Sequence, residues 1–208
     1  MTNYYPLLPN SDPPSIVTFP NDGYIVGILD KKLFKSLLEE VSHYENNEEF
    51  ITGVRDCNNE QTCPHYAVGD TNKENLNKFL LPYVVSYTEN FGYVNSINIL
   101  DRPSTYSFGD AWFNIQKPED YLSGHVHDGL LSYTLWLKLP PKSELRFLYN
   151  SVTGRLDNYD ILLTPQDEGK FILFPSTLFH AVHPYKSNKP NELRISLAGN
   201  VMLKGPSK

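Results

Sequence analysis

The stretch from Ser123 to Leu139 reads SGHVHDGLLSYTLWLKL and joins two histidines to a long apolar run. His125 and His127 stand two positions apart, just before the strand-like run Leu130–Leu139. In an extended chain, residues at this spacing point to the same face. Two imidazole nitrogens aimed together from a strand end suit a borderline divalent metal ion. Alone, a His-x-His pair is equally typical of ordinary surface histidines.

Seven other strand-like runs accompany this one, each bounded by turn residues. They are Ser96–Leu100, Tyr106–Gln116, Leu145–Tyr149, Tyr159–Thr164, Lys170–Phe174, His180–His183 and Leu193–Leu203. Eight short strands at this spacing indicate a β-sandwich or a jelly roll.

Two helices are predicted ahead of the β-rich part. After a short apolar strand, Tyr24–Leu29, Asp30 occupies an N-cap position, and the apolar residues of Lys31–Tyr44 share one helical face. Thr71 and Glu74 have the spacing of a capping box, which predicts the start of a second helix. The fold is therefore expected to be mainly β, with a helical layer that supports it.

The chain is predicted to form a single domain, because its 208 residues suit one core with a peripheral layer. The Pro- and Asn-rich residues 1–22 are expected to run extended, residues 23–94 to form the helical support, and residues 95–204 to form the core. Within the support, residues 45–70 lack periodicity and predict a loop. Pro82 is expected to kink or split the second helix.

Composition and charge disfavour several classes of protein. A net charge of −6 argues against nucleic acid or an anionic membrane as a partner, because such surfaces need Lys and Arg. The N-terminus lacks the pattern of a signal peptide, and no run of about 18 apolar residues occurs. We expect a soluble, cytoplasmic protein. Cys57 and Cys63 are expected to be reduced thiols in a polar loop.

Two further motifs carry chemistry. An apolar strand ends at Phe174-Pro175, and His180 begins the next strand. Arg194 and Ser196 form another pair at i, i+2. A guanidinium pairs with a carboxylate through two hydrogen bonds, and a hydroxyl on the same face supplies a third, so this pair suits the far end of a dicarboxylate. Taken singly, His180 is more typical of a satisfied core or surface residue and Arg194 of an exposed edge strand.

The combination and order of the motifs are far more specific than any one of them. They are Trp112-Phe113-Asn114, His125-Val126-His127, Ser132 to Leu137, Leu173-Phe174-Pro175 through His180, and Arg194-Ile195-Ser196 through Asn200. In this order they resemble the non-haem iron(II), 2-oxoglutarate-dependent oxygenase superfamily, and most closely the small oxygenases of marine bacteria and their phages. The resemblance covers roughly residues 106–202, about half of the chain.

The resemblance implies a double-stranded β-helix with Fe(II) near its open end. By position, His125, His127 and His180 are the implied metal ligands and the catalytic centre. The implied activity is a hydroxylase-type oxidation of a substrate C–H bond, with 2-oxoglutarate as co-substrate and release of succinate and CO2. Whether ascorbate is also required stays open, as does a phage-encoded origin.

The resemblance also implies the co-substrate site. Arg194 with Ser196 falls on the motif that binds the distal carboxylate of 2-oxoglutarate. Asn114 and either Trp136 or Thr134, on neighbouring strands, are candidates to line that pocket, although a plain core role suits each of them equally well.

His127 stands where most members of the superfamily carry Asp or Glu. In the interpretation we favour, the three histidines form a neutral ligand set. In a second, Asp128 supplies the anion because the chain bulges before Gly129. In a third, His127 and His180 bind the ion with Gly129 at the carboxylate position, which leaves an extra coordination place.

Two other classes compete with an oxygenase. A cupin-type metal-binding protein or thiol dioxygenase shares the barrel and the H-x-H opening, but it would not need Arg194 and Ser196. Such cupins usually carry a Glu soon after the histidines, and residues 130–135 contain none. A non-catalytic jelly-roll binding or virion protein would retain only a vestigial metal site.

The sequence leaves the substrate and the oligomeric state undetermined. A small molecule and a peptide or protein side chain both fit. Residues 45–70 and 150–168 are expected to be long insertions beside the open end, where substrate-facing loops lie.

Overall fold

The computed structural model describes residues 23–45, 51–56, 62–92, 105–151, 153–189 and 192–204. The predicted extended segment 1–22 and the predicted strand Ser96–Leu100 lie outside these residues, and the single-domain organisation stays a prediction.

The described residues form eleven strands and two α-helices. The strands are β1 Ile25–Ile28, β2 Ile51–Asp56, β3 Thr62–Ala67, β4 Thr105–Gln116, β5 Leu122–His125, β6 Leu131–Lys138, β7 Ser143–Asn150, β8 Leu156–Leu163, β9 Lys170–Pro175, β10 Phe179–Val182 and β11 Arg194–Lys204. The helices are α1 Lys31–Ser42 and α2 Asp70–Phe91.

The strands form two antiparallel sheets. The larger sheet has the order β1-β9-β6-β11-β4-β3-β2, and the smaller has the order β5-β10-β7-β8. Trp136, Ile172 and Phe174 of the larger sheet share one buried cluster with Leu145 and Phe147 of the smaller sheet. The two sheets therefore pack face to face, and the prediction of a mainly β jelly roll with a helical layer is confirmed.

Side-chain alternation along the larger sheet sorts apolar residues from polar ones. The residues that join the core under the helices are Phe113, Ile115, Tyr133, Leu135, Phe171, Leu173, Ile195 and Leu197. The residues between them on β4, β6 and β11 line a cavity on the opposite face: Trp112, Asn114, Gln116, Thr134, Trp136, Arg194 and Ser196. Because side chains alternate with a period of two, each strand contributes to both the core and the cavity.

Both helices pack on the outer face of the larger sheet. Leu37 of α1 and Leu76, Leu80 and Val84 of α2 are fully buried in that core. The predicted N-cap of α1 is confirmed, because the Asp30 carboxylate accepts hydrogen bonds from the next backbone amides at 2.9 and 3.0 Å. The helices thus cover the apolar side of the sheet and leave its polar side facing the cavity.

The predicted start of α2 is wrong. Its N-cap is Gly69, which has no side-chain cap, rather than Thr71 of the predicted capping box. The Glu40 carboxylate of α1 accepts from the Gly69 amide at 2.5 Å, so a tertiary contact satisfies this end. The helix also continues through Pro82 without splitting. Buried contacts on both sides of Pro82 offset the hydrogen bond that its missing N–H forgoes.

The segments predicted as insertions are more regular than expected. Residues 45–70 contain the hairpin of β2 and β3, and β3 pairs with β4 at the edge of the larger sheet. Residues 150–168 contain β8 and the short 3-10 turn Pro165–Asp167. Pairing with neighbouring strands, rather than local periodicity, makes these segments extended. Cys63 lies in β3, and Cys57 lies outside the described residues.

Among the described residues, neither helix combines the length and the apolar character needed to cross a membrane.

Candidate active site

Three imidazoles meet at one end of the space between the sheets. His125 ends β5 and pairs with His180 of β10, while His127 follows in the loop that leads to β6. One ring nitrogen from each residue lies within 4.8 Å of the other two, and His127 Nε2 lies 3.2 Å from His180 Nε2. Imidazole nitrogens about 2.1 Å from an octahedral ion at adjacent positions are about 3 Å apart. The cluster therefore fits one divalent metal ion.

Backbone carbonyls fix the tautomers of two of these rings. His125 Nδ1 donates to Ser123 O at 2.6 Å, and His180 Nδ1 donates to Leu178 O at 2.9 Å. Since Nδ1 carries the proton, Nε2 of each ring keeps its lone pair for a ligand. This arrangement is the usual support for a metal-binding histidine.

Aromatic side chains hold the cluster in place. His180 is buried and packs against Phe174, with ring centroids 5.1 Å apart. His127 stacks on Trp112 at 5.8 Å, and Trp112 stacks in turn on His65. These contacts restrict ring rotation and limit the access of water to the nitrogens.

The alternative ligand, Asp128, is exposed and does not belong to the group of converging ligand atoms. Gly129 follows with a φ of 113°, a conformation that glycine adopts readily. In this backbone arrangement the three histidines converge and the neighbouring carboxylate does not.

Arg194 lies at the far end of the same cavity, at the start of β11. Its side chain is almost fully buried, and its guanidinium donates to Gln116 Oε1 at 2.8 Å, His183 O at 2.7 Å and Asp120 O at 3.1 Å. The Tyr185 ring lies 5.0 Å from Arg194 Cζ. Burial lowers the pKa of Arg194 to about 10, so it remains charged at neutral pH.

This buried charge has no carboxylate ion-pair partner among the described residues. Three of the five guanidinium N–H donors have the partners given above, which leaves two. A buried cation is costly unless an anion accompanies it. The site therefore fits the distal carboxylate of a dicarboxylic acid.

The other predicted co-substrate residues lie between the two ends of the cavity. Ser196 and Asn114 face it from β11 and β4, and Asn114 Nδ2 donates to Ser196 Oγ at 3.5 Å. Trp136 faces it from β6 and is buried. The cavity encloses about 550 Å³, part of it open to solvent, and both the imidazoles and Arg194 line it.

Sequence reasoning missed several lining residues, among them Trp112, Gln116 and Ser143. Trp112 and Gln116 share the inward face of β4 with Asn114, so the alternation that selected Asn114 also contained the signal for both. Ser143 begins β7, two residues before the predicted start of that strand. Ser143 lines the cavity because β7 begins at this residue, and the local sequence does not define where that strand begins.

Comparison with known proteins gives a family-model match over part of the chain and a shared fold. Residues 110–200 match the family model described as "Putative 2OG-Fe(II) oxygenase". The comparison with curated proteins found no match.

Among solved structures, the chain is similar to the non-haem α-ketoglutarate-dependent epimerase SnoN from nogalamycin biosynthesis, with 15% identity and a TM-score of 0.60 over 87% of this chain and 78% of that one. It is also similar to a Pseudomonas putida prolyl-4-hydroxylase, with 16% identity and a TM-score of 0.58 over 88% and 94%. A third is EctD from S. alaskensis, with 14% identity and a TM-score of 0.54 over 86% and 71%. At these identities the structures show a common fold.

The matched segment, residues 110–200, begins within β4 and contains all three clustered histidines and Arg194. Over this segment, somewhat less than half of the chain, the sequence is similar to the non-haem iron(II), 2-oxoglutarate-dependent oxygenases.

Proposed function

We propose that the chain hydroxylates a C–H bond of a small organic molecule or a peptide side chain, coupled to conversion of 2-oxoglutarate and O2 into succinate and CO2. One observation carries this proposal: the cavity has three converging imidazoles at one end and, at the other, a buried guanidinium that has no carboxylate partner among the described residues. A 2-oxo acid with a second carboxylate is a ligand that suits both ends.

In this proposal, His125, His127 and His180 hold Fe(II) through Nε2. When bound, the iron ion supplies the oxygen activation and the C–H oxidation chemistry. Three neutral ligands leave the full charge of the ion uncompensated, so this site attracts a dianionic co-substrate more strongly than one with a carboxylate ligand.

Residues along the cavity bind and orient the co-substrate. Arg194 and Ser196 take the distal carboxylate through N–H and O–H donors. Asn114, one strand away, adds a polar side chain beside them, and the indole of Trp136 forms an apolar wall that excludes water. A dry cavity strengthens each of these electrostatic contacts.

A second groove at the imidazole end is the proposed place for the substrate. The groove is lined by Tyr24, Phe147, Tyr149, Tyr159 and Phe179 among other residues, and none of the described residues that line it is charged. Phe147 packs 6.2 Å from the His180 ring, measured between centroids, so the groove lies beside the metal ligands. Its aromatic lining supports a substrate whose contacting part is uncharged.

The proposal is tested by anaerobic spectroscopy followed by turnover. Fe(II) and 2-oxoglutarate together are expected to give a visible charge-transfer band, and admission of air with a library of metabolites and peptides is expected to release succinate. His180→Ala is expected to abolish both signals. His43→Ala, which changes an exposed histidine at the end of α1, is the matched control and leaves both signals intact. A wild-type protein with neither band nor succinate would refute the proposal.

The neutral three-histidine set also favours a second candidate, a thiol dioxygenase of the cupin type. Such an enzyme needs no guanidinium for a dicarboxylate. The variant Arg194→Met distinguishes the 2-oxoglutarate-dependent oxygenase from the thiol dioxygenase. Loss of 2-oxoglutarate turnover in the variant supports the oxygenase. If the wild-type protein consumes O2 with a thiol and the variant does so at the same rate, the thiol dioxygenase is supported.

A further inference from the structure

Gln116 lines the cavity directly beside Arg194. It is the last residue of β4, and it is the register partner of Arg194, the first residue of β11. Gln116 is 1% exposed and Arg194 is 2% exposed. Two long polar side chains are thus buried together where the larger sheet ends, and both line the cavity.

The hydrogen bond from Arg194 fixes the orientation of the Gln116 amide. Arg194 Nε donates to Gln116 Oε1 at 2.8 Å. A guanidinium has only donors, so the atom that faces it must be the amide oxygen. The amide nitrogen, Nε2, therefore points elsewhere with both of its N–H groups.

Gln116 Nε2 has no hydrogen-bond partner among the described residues, although it is buried. A buried donor without an acceptor is costly, and native proteins usually supply a partner for it. The hydroxyl of Ser143, which is also buried and lines the same cavity, is a second polar group in this state. These unsatisfied groups, together with the two remaining donors of Arg194, indicate that this part of the cavity is suited to a polar ligand.

We infer that Gln116 determines specificity for the dicarboxylic co-substrate: its Oε1 holds the Arg194 guanidinium in place, and its Nε2 donates to the distal carboxylate. This inference rests on the proposed function and adds a residue to it. A 2-oxo acid without the distal carboxylate leaves Gln116 Nε2 and the two remaining N–H donors of Arg194 without an acceptor, so the chain binds it less tightly.

Two variants test the two halves of this role. Gln116→Glu keeps an oxygen for Arg194 Nε, but it replaces the donor with a carboxylate that neutralises Arg194 and repels the ligand. Gln116→Leu keeps the volume and removes both the acceptor and the donor. Gln166→Glu makes the same chemical change at an exposed position and is the matched control.

The measurement is calorimetric titration, under nitrogen, of Mn(II)-loaded protein with 2-oxoglutarate and with pyruvate. Loss of a hydrogen bond to a charged ligand corresponds to a loss of affinity of about tenfold or more. We expect both Gln116 variants to lose at least that for 2-oxoglutarate, and to change less than threefold for pyruvate and for Mn(II). The control is expected to match the wild-type protein in all three.

Several results would overturn the inference. Wild-type affinity for 2-oxoglutarate in both variants would remove Gln116 from the site, and parallel losses for 2-oxoglutarate and pyruvate would reduce it to a structural residue. Unfolding midpoints from circular dichroism identify a variant that fails to fold, and the other variant then decides. If the wild-type protein binds Mn(II) but not 2-oxoglutarate, the proposed function itself fails, which is a separate outcome.

Discussion

The residue at position 127 decides the charge of the metal site. His127 directs Nε2 toward His180 Nε2, whereas the neighbouring Asp128 is exposed and outside the cluster. A site with three imidazoles carries one unit more positive charge with Fe(II) than a site with two imidazoles and a carboxylate. The choice between these residues therefore affects both the affinity for the ion and the attraction of an anionic co-substrate.

Alanine variants at these two positions separate the interpretations. His127→Ala is expected to lower the affinity for Mn(II) by about 100-fold, because one ligand of a structured site contributes about 3 kcal/mol. Asp128→Ala is expected to change it less than threefold. Titration followed by the paramagnetic signal of free Mn(II) measures both. A larger loss of Mn(II) affinity in Asp128→Ala than in His127→Ala would establish Asp128 as the ligand and contradict a ligand set of three neutral histidines.

Arg194 differs from a lysine in the number of acceptors that it satisfies. Its guanidinium donates to Gln116 Oε1, His183 O and Asp120 O, and a lysine ammonium cannot reproduce this planar arrangement. Arg194→Lys is expected to weaken 2-oxoglutarate binding by about 10- to 100-fold and to leave Mn(II) binding unchanged. Calorimetry under nitrogen checks this. Arg155→Lys, at an exposed arginine, is the control, and equal behaviour of the two variants would count against a ligand role for Arg194.

At the scale of elements, strand alternation made most of the site predictable. The i, i+2 spacing placed Arg194 and Ser196 on one face of β11. His125 and His127 have the same spacing and were predicted to converge, although His127 lies in the loop after β5. The structure brings both pairs to one cavity. Their roles as ligands stay predictions. Side chains alternate between the two faces of a strand. Once the sequence identifies a strand, it therefore also indicates which of its residues share a face.

The elements that sequence reasoning missed depend on neighbours rather than on their own pattern. The hairpin of β2 and β3 is extended because β3 pairs with β4, and β5 is a four-residue strand paired with β10. The start of α2 is fixed by Glu40 from another helix. None of these contacts is encoded in local periodicity.

The loop between β5 and β6 carries His127 and depends on one glycine. Gly129 has a φ of 113°, and a Cβ atom there would lie 2.8 Å from Met202 Sδ and 2.9 Å from Val201 O. Gly129→Ala is expected to lower the free energy of unfolding by about 1–3 kcal/mol and to weaken Mn(II) binding, because the loop must shift. Urea denaturation and Mn(II) titration measure the two effects.

Gly154 provides the matched control for this variant. It has a φ of 79°, but nothing lies within 4 Å of a Cβ atom at that position. Gly154→Ala is therefore expected to lower the free energy of unfolding by about 1 kcal/mol, through backbone strain alone. Its affinity for Mn(II) is expected to equal that of the wild-type protein. If Gly129→Ala leaves metal affinity at the wild-type value, the loop does not position His127.

At the scale of the whole molecule, the proposed ligands connect the two sheets. The smaller sheet contributes His125 and His180, and the larger sheet contributes Arg194. A metal ion alone contacts the imidazole end, whereas a dicarboxylic 2-oxo acid on that ion also engages the far end of the larger sheet. Ligand binding should therefore stabilise the packing of the sheets in two steps.

Thermal unfolding of the wild-type protein tests this link between the site and the fold. A ligand at 100 times its Kd stabilises the folded state by about 2.7 kcal/mol, which corresponds to about 5–10 °C for a chain of this size. We expect Mn(II) to raise the melting temperature, 2-oxoglutarate to raise it further only when Mn(II) is present, and pyruvate to add less than 2-oxoglutarate at equal concentration. In Arg194→Met, the difference between the two acids is expected to shrink, because the guanidinium no longer binds the distal carboxylate and only Gln116 Nε2 and Ser196 remain as its donors. Equal stabilisation by both acids in the wild-type protein would mean that the far end of the cavity does not take part in binding.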